Sequence, residues 1–161
     1  GIEMVKAGST LCRRLLSFPL PVVAVSPGHS IAQGCFMLLS CDYRIGIEGP
    51  FQFGLNETQI GMTMHNAGIV VPSARLQPAF LNRAVINAEM FDPATAVTAG
   101  FLDKIVPADD LIATAKAEAT RLSGLNLAAF KATKLKMRKD LLEALDAAIA
   151  TDYQEQMAML G

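Results

Sequence analysis

The stretch PVVAVSPGHSIAQGCFMLLSC, residues 21 to 41, limits the fold more than any other part of the chain. Val22 to Val25 form an apolar run without alternation, the pattern of a strand covered on both faces, as in a parallel sheet. Ser26, Pro27, Gly28 and Gly34 then supply a loop tolerant of unusual backbone angles, suited to backbone contact with a ligand. Cys35 to Cys41 read as a short buried helix. Taken alone, the two glycines need do no more than let the chain turn.

The same reading extends to both sides. Val5, Leu11, Leu15 and Leu16 recur at helical spacing before Pro19 and Pro21 end the helix. Tyr43, Ile45 and Ile47 alternate with Arg44 and Gly46, as in a strand. Gly49 and Pro50 turn the chain into Phe51 and Phe53, which share a face, and Gly54 breaks that run. A helical stretch from about Asn66 to Phe80 is interrupted at Pro72. Asp92 followed by Pro93 opens another helix, ended by Gly100. Phe101 to Val106 form a strand stopped by Pro107.

From there on the pattern is helical: one helix from about Asp109 to Ser123 ended by Gly124, a second opened by Asn126, and a third from about Asp140. The expected architecture is an α/β body over residues 1–123 with a helical tail over residues 124–161.

With 161 residues, 52% of them hydrophobic, the chain can bury one sizeable core. A net charge of −1 provides no broad basic field, so neither a nucleic acid nor an anionic membrane is implied and the ligand is expected to be small. Cys12, Cys35 and Cys41 form no CxxC pair and have two histidines to join them, which argues against a disulfide framework or a metal site. A cytoplasmic location fits. The apolar stretches Leu20–Val25 and Ile31–Leu39 are too short to span a bilayer, and no signal peptide opens the chain. Because Gly1 enters a helix already under way, an N-terminal part is expected to be missing.

In order, PVVAVSPGHSIAQGC, CDYRI, FGLNETQIGM and FDPATAVTAGFLDKIVP resemble the crotonase, or enoyl-CoA hydratase/isomerase, family, from about Leu20 to Leu111 with weaker agreement in the tail. Within it, CDYRI and GLNETQIG look most like the mitochondrial isomerases that move a 3-ene to a 2-ene. The resemblance implies a crotonase-like ββα spiral, an acyl-CoA thioester bound by two backbone N–H groups, and carboxylates that move protons beside it. It implies no metal and no cofactor beyond the coenzyme A of the substrate. It also implies a homotrimer or hexamer, for which the stripe Leu141, Leu145 and Ile149 would suit the interface.

Carried over residue by residue, the backbone N–H groups of Gln33 and Gly34 would belong to the oxyanion hole, with Gln33 where the family usually has glycine, while the resemblance implies that the other donor and much of the adenine pocket come from segments before Gly1. Phe36 stands where the hydratases carry a glutamate, and Phe36 cannot take a proton. Glu57 matches the second glutamate of the hydratases and the only essential carboxylate of the isomerases. One base suffices for isomerisation, because the proton taken from C2 can return at C4. A glutamate in water has a pKa of about 4.3, so an apolar surround from Phe36, Ile60 and Met62 is expected to raise it. Without the motif order, a glutamate in NETQ would read as solvated.

Ile31, Phe36, Asn56, Ile60, Met62 and His65 are the expected substrate-contacting residues. His65 could be a second acid or base or hold a water, against the plainer reading of a capping or surface histidine. His29 occupies a variable loop position, and Cys35 and Cys41 read as small core residues. The basic cluster Lys131, Lys134, Lys136, Arg138 and Lys139 reads first as the solvated face of a helix, then as a contact for CoA phosphates or RNA. No aromatic residues interleave with it to stack bases. Hydration of 2-enoyl-CoA, hydrolysis of an acyl-CoA, and a non-catalytic acyl-CoA- or RNA-binding role are the alternatives.

Overall fold

In the computed structural model, which describes all 161 residues, short parallel strands are connected through helices. Helix α1 (Ile2–Ser17) leads into β1 (Val23–Ser26), β2 (Ser30–Ile31), α2 (Gln33–Leu39), β3 (Tyr43–Ile47) and β4 (Phe53–Gly54). Three helices follow, α3 (Asn66–Arg75), α4 (Pro78–Val85) and α5 (Pro93–Ala99), then β5 (Lys104–Val106). The chain ends in α6 (Leu111–Ser123), α7 (Leu127–Met137) and α8 (Lys139–Leu160).

One parallel sheet has the order β1-β3-β5, with Val25 opposite Ile45 and Ile45 opposite Lys104. A second pairs β2 with β4 in parallel, Ser30 opposite Phe53 and Ile31 opposite Gly54. Two successive passes thus give one strand to each sheet, the first followed by α2, which is the expected ββα spiral. No helix is long and apolar enough to cross a membrane.

The main core gathers Leu16, Leu39, Phe53, Phe101 and Leu145 from α1, α2, β4, the approach to β5, and α8. Each such side chain contributes about 1.5–3 kcal/mol on burial. A smaller cluster of Ile45, Ile47, Val106 and Leu111 lies between β3, β5 and α6. The local signals for helix ends hold. Asp92 accepts from the Thr95 N–H at 2.7 Å and Asn126 from the Ala129 N–H at 2.9 Å. Gly100 ends α5 at φ 105°, where a Cβ would come within 3.1 Å of the Arg75 carbonyl.

Elsewhere the structure departs from the sequence reading. Pro72 does not interrupt the helix; it lies inside α3 with its ring in the core, and the break comes at Leu76 and Gln77. Pro78 causes that break by holding Gln77 extended while itself starting α4. Val25 is exposed rather than covered on both faces, because β1 is an edge strand. The run does end at Gly54, which is itself the last strand residue and pairs with Ile31. The strand expected from Phe101 begins only at Lys104, since Phe101 and Leu102 turn into the core.

The stripe Leu141, Leu145 and Ile149 faces inward: Leu145 is fully buried and the other two pack against the core, so the chain itself covers them. Nor is the basic cluster wholly a solvated face. Lys134 is buried and ion-paired to Asp42 at 2.7 Å, and Arg138 reaches the same carboxylate at 3.0 Å. Asp42 also accepts from the Val22 N–H at 2.8 Å. Two residues on, Arg44 holds Asp103 at 3.1 Å and donates to the Gly100 carbonyl at 2.7 Å. The charges of CDYRI therefore fasten the sheet to the tail and to the turn before β5.

Candidate active site

The loop after β1 is shaped by Ser26, whose hydroxyl lies 2.7 Å from the Ser30 hydroxyl and donates to the Gly28 carbonyl at 3.0 Å. The Ala32 N–H then donates to the Gly54 carbonyl at 2.9 Å, extending the β2–β4 pairing by one bond. Ala32 itself has φ 54° and ψ −117°, a conformation that an L side chain rarely adopts. Helix α2 starts at the next residue without a side-chain cap. The N–H groups of Gln33 and Gly34, in its first turn, have no acceptor within the helix.

Beyond β4, Glu57 opens a short 3-10 turn, Thr58–Ile60, and its carbonyl accepts from the Met62 N–H at 2.8 Å. The Thr58 hydroxyl donates to the Ile86 carbonyl at 2.9 Å and fixes the turn from outside. Glu57 is only 6% exposed, and its Oε2 has no hydrogen-bond partner. Burial pushes its carboxyl above the ordinary range, while its own backbone N–H and the nearby His65 pull it back. A buried carboxylate oxygen without a partner is costly to a fold and points to chemistry.

A cavity of about 230 Å³ brings Glu57 together with Gln33, Asn56, Ile60, Met62 and His65. Ile60 and Met62 are 61% and 53% exposed, so they form a rim rather than the apolar surround expected of them. Ile31, Gly34 and Phe36 do not line this cavity. Ile31 is engaged in the β2–β4 pair, and Phe36 lies in the core with its ring edge-on to His65 at 5.6 Å. Phe36 therefore lies beneath the cavity wall, packed against His65. The ring of His65 also packs over Gly68, where a Cβ would come within 2.8 Å of Cε1.

Sequence reasoning missed Ala32, Thr63, Val5 of α1 and Gln156 of α8, all of which line the cavity. Only the backbone angles of Ala32 mark that residue, and nothing local marks Val5 or Gln156. His29 is structural: its Nδ1 accepts from the Gln52 N–H at 2.9 Å. Burial pushes the Cys35 thiol up to about 12 and the Cys41 thiol up to about 11, which leaves both without nucleophilic thiolate. A larger depression of about 510 Å³ lies beside Asp42, Phe130 and Lys134. Its charges are already paired, and it lacks the unpartnered carboxylate of the smaller cavity.

Residues 3–160 match the family model described as Enoyl-CoA hydratase/isomerase. The human mitochondrial Enoyl-CoA delta isomerase 1 is 31% identical over 164 residues, covering 97% of this chain and 52% of that protein. The Short-chain-enoyl-CoA hydratase of Clostridium acetobutylicum is 27% identical over 147 residues, covering 91% of this chain and 56% of its own. Among solved structures, an enoyl-CoA hydratase/isomerase family protein from Pseudomonas syringae superposes with a TM-score of 0.94 at 57% identity, over 95% of this chain and 66% of that one. The human mitochondrial delta3-delta2-enoyl-CoA isomerase superposes at 0.86 with 30% identity, over 97% of this chain and 61% of its own. The chain spans about half the length of the curated relatives it matches.

Proposed function

Because the chain belongs to the enoyl-CoA hydratase/isomerase family, we propose that it isomerises 3-enoyl-CoA to 2-enoyl-CoA, with Glu57 as its single proton carrier. The observation that carries this reading is the unpartnered Oε2 of buried Glu57, in a cavity shared with Gln33 and backed by a phenylalanine at position 36. Glu57 takes a proton from C2, and the electron pair moves onto the thioester oxygen as a dienolate. The Gln33 N–H, with that of Gly34 beside it, donates to that oxygen. One well-placed donor lowers such a barrier by about 3 kcal/mol. The proton returns at C4, which leaves the double bond between C2 and C3 and Glu57 ready for another turnover.

Burial suits this role, since a carboxylate raised above its usual range is a stronger base near neutrality. Coenzyme A enters as part of the substrate, and the reaction as written calls on no other cofactor. A homotrimer or hexamer is the proposed assembly, by likeness to the family. Glu57→Gln tests the reading on 3-hexenoyl-CoA: kcat is expected to fall about 10²- to 10⁴-fold. Equal rates for the two proteins would refute it.

One observation favours a second reading, hydration of 2-enoyl-CoA or hydrolysis of an acyl-CoA. His65 lines the same cavity as Glu57, so a histidine and a carboxylate could activate water together. Hydration of 2-butenoyl-CoA that is lost in His65→Ala, with isomerisation absent from wild type, would select it.

A further inference from the structure

We propose that Gly8 of α1 and the side chain of Gln33 form a positioning device that fixes the direction of the Gln33 backbone N–H at the cavity. This rests on the reading of that N–H as a donor to the thioester oxygen. The unpartnered, buried Oε2 of Glu57 lining the same cavity is the independent sign that a ligand belongs there.

The device starts from an anomaly in each partner. Gln33 puts a long polar side chain on the first residue of α2, directly after the strained Ala32, and Gly8 sits in the interior of a 16-residue helix, where glycine costs about 0.5–1 kcal/mol relative to alanine. The two anomalies explain each other. The Gln33 Nε2 donates to the Gly8 carbonyl at 3.2 Å and approaches the Cys12 Sγ at 3.7 Å. A Cβ on residue 8 would lie 2.8 Å from the Gln33 Oε1 and 3.0 Å from its Cδ. A Cβ at residue 8 would therefore displace the carboxamide from this position.

Tethering the side chain to α1 determines the backbone. The N–H in question belongs to the peptide unit between Ala32 and Gln33, which can turn only through ψ of Ala32 and φ of Gln33. On one side the Ala32 N–H is held by the Gly54 carbonyl at 2.9 Å, with Ala32 at φ 54° and ψ −117°. On the other the Gln33 side chain is held by Gly8. Rotating the peptide plane toward a relaxed alanine conformation would pull the carboxamide off its anchor. The Gln33 side chain thus gives the Ala32–Gln33 peptide a fixed aim. Gly8 and the Gln33 carboxamide are positioning residues; neither side chain touches the reacting atoms.

The test is a cycle of Gly8→Ala, Gln33→Gly and the double variant in the full chain, with Glu57→Gln alongside and thermal melts to verify folding. Two readouts are taken: kcat and KM on 3-hexenoyl-CoA, and the infrared carbonyl stretch of bound acetyl-CoA labelled with ¹³C at the thioester. Gly8→Ala is expected to lower kcat about 10- to 100-fold with KM nearly unchanged, and to return the carbonyl stretch toward its value in water. In the Gln33→Gly background the same substitution should change neither readout. If Gly8→Ala keeps the wild-type kcat and stretch, or costs the same factor in both backgrounds, the device is refuted even while Glu57→Gln remains inactive. A carbonyl shift that is present in wild type and lost in Gly8→Ala supports the device even where no isomerisation occurs. No shift in wild type refutes it together with the donor reading.

Discussion

The Lys134 ammonium lies 2.7 Å from the Asp42 carboxylate, with the two side chains only 4% and 9% exposed. Arg138 approaches the same carboxylate at 3.0 Å, so one anion at the start of β3 holds two cations from the end of the chain. Asp42→Ala removes the anion from both and is expected to lower unfolding free energy by about 3–5 kcal/mol in urea titrations. Lys134→Met should cost less, because Arg138 still faces Asp42.

The raised pKa of Glu57 makes stability depend on pH in a defined sense. The folded state holds the Glu57 proton more tightly than the unfolded chain does. Stability therefore falls as pH rises from the ordinary carboxylate value to the elevated folded one, and the penalty is complete above it. Glu57→Gln should melt higher than wild type near neutrality, with the difference vanishing below the ordinary carboxylate range. Melts from pH 3 to 8 measure it, and a constant difference would contradict it.

Ala32 is held at a positive φ of 54°. Ala32→Gly relieves that conformation and is expected to raise unfolding free energy by about 1 kcal/mol, the strain released exceeding the added entropy of the unfolded chain. Chemical denaturation compares the two, and a loss of stability would show that Ala32 is not strained.

Asp152 of α8 caps α3 from across the chain. Its Oδ1 accepts from the Asn66 N–H at 2.6 Å, and its Oδ2 from the Ala67 N–H at 2.9 Å. The Asn66 Nδ2 also donates to Oδ1, at 2.9 Å, so removing this buried, charged acceptor strands two backbone donors and takes one bond from the Asn66 side chain; Asp152→Ala should cost roughly 2–3 kcal/mol by denaturant unfolding. Asp152→Asn, which keeps one acceptor oxygen, should recover part of that.

What the sequence disclosed was what neighbouring residues decide. Asp92, Gly100 and Asn126 act on their own helix ends, and the turn chemistry between residues 26 and 34 is equally local. Pro72 misled because a proline is read as a break, whereas the core accepts its ring and the true break belongs to Pro78. The run from Lys131 to Lys139 looked solvated because a charge pattern carries no information on what lies opposite, and Asp42 is distant in sequence. The same limit applied to Leu141, Leu145 and Ile149, whose spacing revealed an apolar face without revealing that α1 and α3 cover it. For the site, motif order singled out Glu57, but its burial and its missing partner emerge only when remote helices pack around it. The Gln33 anchor was invisible for the same reason, since Gly8 and Gln33 belong to different elements.

Val5 and Gln156, from the first helix and the last, are both walls of the cavity that holds Glu57. During synthesis the acid group therefore emerges long before its enclosure does. A nascent chain still lacking α8 leaves that side open to water, and the cavity around Glu57 closes only once α8 has been made and has packed.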